Sequence, residues 1–171
     1  RFSKSSQAAL RHEHNLALEK LNNEKKLNPL ERIEQKYALE EKFANDILQL
    51  ENERIEAEFA NDKAIADRKN ESRKAQIDAM KLDDETKQKL HDAEMKRHDQ
   101  VLTKLKGIRA AARADAQVVH GRESEKRDAT KQIETAVATD DKKKLDADRH
   151  AKLAELRSTE EMGEIERFDA D

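Results

Sequence analysis

The sequence predicts an all-α protein, elongated, built of long helices packed as a coiled-coil-like bundle and without a sheet. Three observations predict it. Charged residues make up 43% of the chain and hydrophobic ones 35%, where an ordinary globular domain has about 25% and 45–50%. The chain has three Gly and one Pro, so the residues that usually end helices are scarce. No run alternates apolar and polar residues with period two, the mark of a half-buried strand. The bulk is Ala, Leu, Glu, Lys, Arg, Gln and Asp, most of them good helix formers. More than about two-thirds of the residues are expected in helix.

The same composition excludes function classes. Aromatics are 3%, namely Phe2, Tyr37, Phe43, Phe59 and Phe168, too few to line the concave apolar pocket that an enzyme needs. With no Cys there is neither a disulfide framework nor a thiolate metal site. No stretch approaches the roughly 18 apolar residues of a membrane span, so membrane contact is not encoded in this segment. A net charge of −3 is spread along the chain without a strongly basic face, so no specific nucleic-acid partner is expected. The best local basic set is Lys104, Lys106, Arg109 and Arg113, which reads as a solvated helix face. The opening residue is Arg rather than Met, which suggests a piece of a longer polypeptide or a processed product.

In chain order, residues 1–29 hold a short N-terminal helix, roughly 5–22, which ends at Asn22-Asn23. Asn28 is an N-cap candidate, its side-chain oxygen free to accept from a backbone N–H. Pro29 follows at the first helical position, where its missing N–H costs nothing, and Glu31 stands where a capping box needs it. Residues 30–82 then form a long helix. At Leu82-Asp83-Asp84-Glu85-Thr86 the acids favour a fresh helix start, so residues 83–121 either continue the helix or restart it at Asp83. Gly107 is a weak point, and His120-Gly121 reads as a helix end. Residues 122–171 are expected as separate C-terminal helical segments, with start signals at Thr139-Asp140-Asp141 and at the capping box Ser158-Thr159-Glu160-Glu161. No compact globular domain is expected.

The hydrophobic period of the long helix is eleven, not seven. Steps of seven from Ile33 fall on Glu40, Ile47, Arg54, Asn61 and Arg68. Steps of eleven fall on Ile33, Ala44, Ile55, Ala66 and Ile77, and a second row is Tyr37, Leu48 and Phe59 before Asn70 breaks it. An eleven-residue repeat gives about 3.67 residues per turn and a straight or slightly right-handed bundle. These eight residues, Ile33, Tyr37, Ala44, Leu48, Ile55, Phe59, Ala66 and Ile77, form the expected self-association face. The segment Phe43-Ala44-Asn45-Asp46 recurs as Phe59-Ala60-Asn61-Asp62, sixteen residues on. Sixteen steps of about 100° turn the helix by roughly 160°, so the two Phe side chains point to nearly opposite sides. Either several helices surround this one or it lies inside something else, and the expected partners are copies of the chain in more than two strands. Lys36 and Glu40, Lys42 and Asp46, Arg54 and Glu58, and Lys63 and Asp67 are each four apart with the base first, the weaker order for an isolated helix.

Active-site and metal chemistry is not legible. His91, Glu94 and His98 share a helix face and could contribute to a zinc site only with a further ligand from a partner. His12 and His14, two apart, do not face the same way. No Gly-rich phosphate loop or nucleophile motif is present, so no catalytic residue, cofactor or metal is expected.

The runs LNPLERIEQKYALEEKFANDILQLENERIEAEF and AQIDAMKLDDETKQKLHDAEMKRHDQVLTKL resemble the charged helical stretches of bacteriophage tail tape measure proteins. The resemblance covers about residues 27–106 and includes no motif from which a functional residue can be carried over. It implies a structural, non-enzymatic protein of the virion, made in the host cytoplasm and lying in the lumen of the phage tail. It further implies several copies, contacts with tail tube or tail tip proteins, a helical length that sets tail length, and departure from the tube at DNA ejection. Many members of that family carry apolar segments, and this chain has none. The alternatives are a cellular coiled-coil spacer, which should show sustained heptads, and a helical interaction segment that folds on a partner.

Overall fold

The computed structural model describes the backbone of residues 2–169 and the side chains of residues 5–159 and Met162. The chain is 94% helical in three long helices, with no strand among the described residues. They are α1 (Phe2–Asn22), α2 (Pro29–Ala79) and α3 (Asp84–Asp169). α2 packs against both α1 and α3, and α1 touches only α2 among the described residues. The expected all-α elongated architecture is what the chain adopts.

The first turn is built as the sequence indicates. Glu31 N–H donates to Asn28 Oδ1 at 2.8 Å and Asn28 N–H donates to Glu31 Oε2 at 3.4 Å, a reciprocal capping box with Pro29 behind the cap. Arg32 closes the turn from the other side. Its guanidinium donates to the carbonyls of Leu21, Asn22 and Glu24 at 3.4, 3.0 and 2.6 Å. Leu21 and Asn22 lie in the last turn of α1, where carbonyls run short of helical partners and a cation suits the helix dipole; the Leu21 carbonyl also accepts from Glu24 N–H at 3.2 Å. α1 thereby folds back along the first half of α2, and Leu21 is buried where they meet.

The joint at Asp83 is a real break. α2 ends at Ala79 with Met80 in an extended conformation, and α3 restarts at Asp84 behind Asp83, whose carbonyl accepts from Lys87 N–H at 3.1 Å. Across this short turn α3 runs antiparallel to α2. Between 84 and 169 there is no second break. The expected stops at Gly121, Thr139 and Ser158 are corrected: α3 is one helix of 86 residues, about 130 Å long. Gly107 and Gly121 keep negative φ and have open space around them, so neither takes the left-handed conformation by which glycine ends a helix. Thr139 donates its hydroxyl to Thr135 O at 2.7 Å, and Thr159 to Glu155 O and Leu156 O at 3.0 and 2.9 Å. Both bond back into the preceding turn as mid-helix threonines do, instead of capping a new one. The side chains of Glu160 and Glu161 lie outside the described set.

The core is thin. Its buried hydrophobic residues are Leu21, Tyr37, Ile55 and Ile77, and none of the described side chains is fully enclosed. Stability therefore rests on one long seam rather than on a three-dimensional core.

Candidate functional site

The seam between α2 and α3 holds nearly all the specific chemistry. The rows expected for self-association lie along it. Ile55, Ile77 and Tyr37 are buried, and Ala44 and Leu48 line a groove with Ala112 and Ala116 of α3. Ala66 lines a groove with Val101 and Leu105, and Ile33 lines another with Ile133 and Val137. Phe59 lies under the Arg109 guanidinium, 4.0 Å from its carbon to the ring centroid. The helix that covers this face is thus α3 of the same chain. The opposed phenylalanines are explained in the same way. Phe43 stacks on His14 of α1 at 4.5 Å while Phe59 faces α3, so the chain itself supplies helices on both sides of α2.

Eleven-residue steps continue in α3, beyond Ile77, where the row expected from α2 ends. Glu94, Leu105, Ala116, Arg127 and Ala138 are eleven apart and are buried or half-buried. Beside them runs a polar ladder. His98 Nε2 is 3.1 Å from Asp67, Arg109 Nη1 3.5 Å from Glu56, His120 Nε2 2.9 Å from Asn45, and Lys131 Nζ 2.8 Å from Glu34. At the turn Lys87 Nζ donates to the Asp78 carbonyl at 3.1 Å. Each rung is eleven residues from the next on both helices; four pair an acid or amide side chain of α2 with a basic side chain of α3, and the Lys87 rung meets a backbone carbonyl. A slip of the helices by less than eleven residues would unpair every rung, so the ladder fixes the register. Further pairs between the two helices are His91 with Asp78 at 2.8 Å, Arg113 with Glu56 at 3.2 Å, and Lys36 with Glu134 at 3.3 Å. Individually such half-exposed pairs contribute little, about 0–1 kcal/mol. Their value lies in direction and register.

His91, Glu94 and His98, the one face with metal-ligand chemistry, are each engaged by protein. His91 and His98 meet Asp78 and Asp67, and the buried Glu94 sits between Arg97 at 3.0 Å and Arg73 at 3.6 Å. In the basic set, Arg109 and Arg113 both neutralise Glu56, which leaves Lys104 and Lys106 exposed. Of the four expected intrahelical pairs, Arg54 with Glu58 and Lys63 with Asp67 form at 2.6 and 3.2 Å, while Lys36 turns to α3 instead. Arg54 also grips Glu51; that hydrogen bond holds the Glu51 carboxyl below its ordinary range and raises the Arg54 guanidinium.

Tyr37 is strongly shifted. Burial first, then the neighbouring Glu134 and Glu40 carboxylates, push its hydroxyl from 10.0 up to about 12. The proton is held more tightly in the folded chain than in the unfolded one. Stability should be unaffected by this group below pH 10, fall as the pH rises from about 10 to about 12, and level off beyond. The chain has a single Tyr, so tyrosinate absorbance reads this group alone. The native titration should centre near 12 and return to about 10 in denaturant, and Tyr37→Phe should show a smaller alkaline loss of stability.

No protein-family model, curated protein or solved structure matches the chain.

Proposed function

We propose that the chain is a non-catalytic structural rod whose length is its function, and specifically a helical segment of a phage tail tape measure protein. The observation that carries the reading is α3, helical without a break over 86 residues and about 130 Å. A rod of this kind converts residue count into distance at about 1.5 Å per residue. The sequence resemblance over residues 27–106 supplies the phage tail as the setting. Because the α2–α3 seam is filled from within, neighbouring copies and tube or tip proteins meet the outer, charged faces of the hairpin. A cellular spacer rod is the second reading, favoured by the same helix and without the phage setting.

The hairpin changes how a ruler is tested. Deleting residues 44–54 removes one whole repeat from α2 and keeps the ladder in phase, but leaves the length of α3 untouched. Deleting residues 111–121 as well removes the facing repeat from α3. If the hairpin persists in the tail, the single deletion leaves tail length unchanged and the double deletion shortens it by about 16 Å or the nearest whole ring. If the hairpin opens into one line, the two deletions shorten the tail by about 16 and 33 Å. Tail lengths are read by electron microscopy, and wild-type length with the double deletion removes the ruler reading.

A further inference from the structure

α2 covers α3 only as far as about Ala138, where Pro29 begins α2, and the seam face of α3 continues past it with nothing opposite among the described residues. Leu145, Leu153 and Leu156 are all more than half exposed there. Leu145 lines an open groove of about 720 Å³ with Leu30, Ile33, Ile133 and Val137, at the step where the hairpin narrows to one helix. The ladder row of α3, followed onward from Lys131 in steps of eleven, reads Lys142, Leu153, Glu164.

We propose that this overhang pairs with the overhang of a second copy of the chain, antiparallel, to give a two-fold symmetric rod. Three features point to this occupant. First, the row Lys142, Leu153, Glu164 is self-complementary when reversed: Leu153 falls opposite its own copy, and each Lys142 falls at the register of the other chain's Glu164. That repeats the rule of the established seam, where Lys131 of α3 meets Glu34 of α2. Second, a partner running antiparallel to α3 follows the path that α2 has left, so the interface is continuous with the existing one. Third, parallel pairing through the same face is blocked, because each chain's α2 already occupies that face up to Ala138. In the antiparallel pair, the end of the partner's α3 comes to lie near Pro29, beside the open groove. An isologous contact of this kind closes on itself and does not propagate.

The inference stands apart from the ruler reading. A pair of opposed rods has no polarity, whereas a tail tube has, so chains packed in a tube do so with these pairs separated. The full chain in solution provides the test, by small-angle scattering and sedimentation. The expected particle is a dimer about 210 Å long, against about 130 Å for the single chain. Leu153→Asp with Leu156→Asp should return it to monomers; both residues are exposed in the single chain, so helicity and hairpin stability should not change. Direction is read by cross-linking, since the chain has no Cys. In a mixture of Lys142→Cys and Glu164→Cys chains carrying different tags, the mixed disulfide should exceed both like-with-like products. A monomer at concentrations up to about 1 mM, a dimer that survives the two aspartates, or an excess of like-with-like disulfides would each overturn the proposal.

Discussion

Ile55→Ala should lower the stability of the chain more than any other aliphatic truncation along α2. Ile55 is only 4% exposed, the most buried hydrophobic residue described, and it stands at the centre of the row between Ala44 and Ala66. Truncating a buried Ile, Leu or Met to Ala costs about 2–5 kcal/mol, from lost transfer energy and the cavity left behind. The seam is open at its edges and can partly collapse, so the lower half of that range, about 2–3 kcal/mol, is expected. Ile65 lies on the same helix at 39% exposure, and Ile65→Ala should change stability by no more than about 0.5 kcal/mol. Urea unfolding followed by circular dichroism gives both values. Equal effects at the two positions would mean that α2 and α3 are not packed as a hairpin in solution.

That comparison bears on the feature least legible in the sequence. The eleven-residue row from Ile33 to Ile77 correctly marks which face of α2 is covered, because burial follows the helical period whatever covers it. It is silent on whether the cover is another molecule or the same chain returning. The choice is made over four residues, 80–83, where Met80 turns extended and Asp83 opens α3. The acids after Leu82 show that a helix can start there; only the matching row in α3, from Glu94 to Ala138, shows where it must go. The capping box at Asn28 was legible in full, since all its chemistry lies within four residues.

The stops expected at Gly121, Thr139 and Ser158 fail for the converse reason. Each is a local preference of about 1 kcal/mol, and in an 86-residue helix the hydrogen bonds on both sides outweigh it. The ladder was hidden differently. Its basic residues, Lys87, His98, Arg109, His120 and Lys131, look like ordinary surface charge until they are set eleven apart against Asp78, Asp67, Glu56, Asn45 and Glu34.

Asn70→Leu should stabilise the chain. Asn70 occupies the next position of the row Tyr37, Leu48, Phe59, is only 6% exposed, and its Oδ1 is buried without a hydrogen-bond partner. An unsatisfied buried polar group costs about 1–3 kcal/mol. Leucine removes that cost and returns an apolar side chain of similar size to the seam, so a gain of about 1–3 kcal/mol is expected. Buried Asn at such positions elsewhere sets register at the expense of stability. Here the polar ladder already performs that task, with Asp67 and His98 forming a rung next to Asn70. The leucine variant should therefore keep a single register as well as gain stability. Two measurements check this: the urea midpoint, which should rise with an unchanged denaturant dependence, and tyrosinate absorbance of Tyr37, which should still titrate near 12 if Glu134 remains opposite it. A lower midpoint would show that the Asn70 amide makes a bond that leucine cannot replace. A higher midpoint with the Tyr37 titration moved back toward 10 would show that the amide, rather than the ladder, holds the two helices in register.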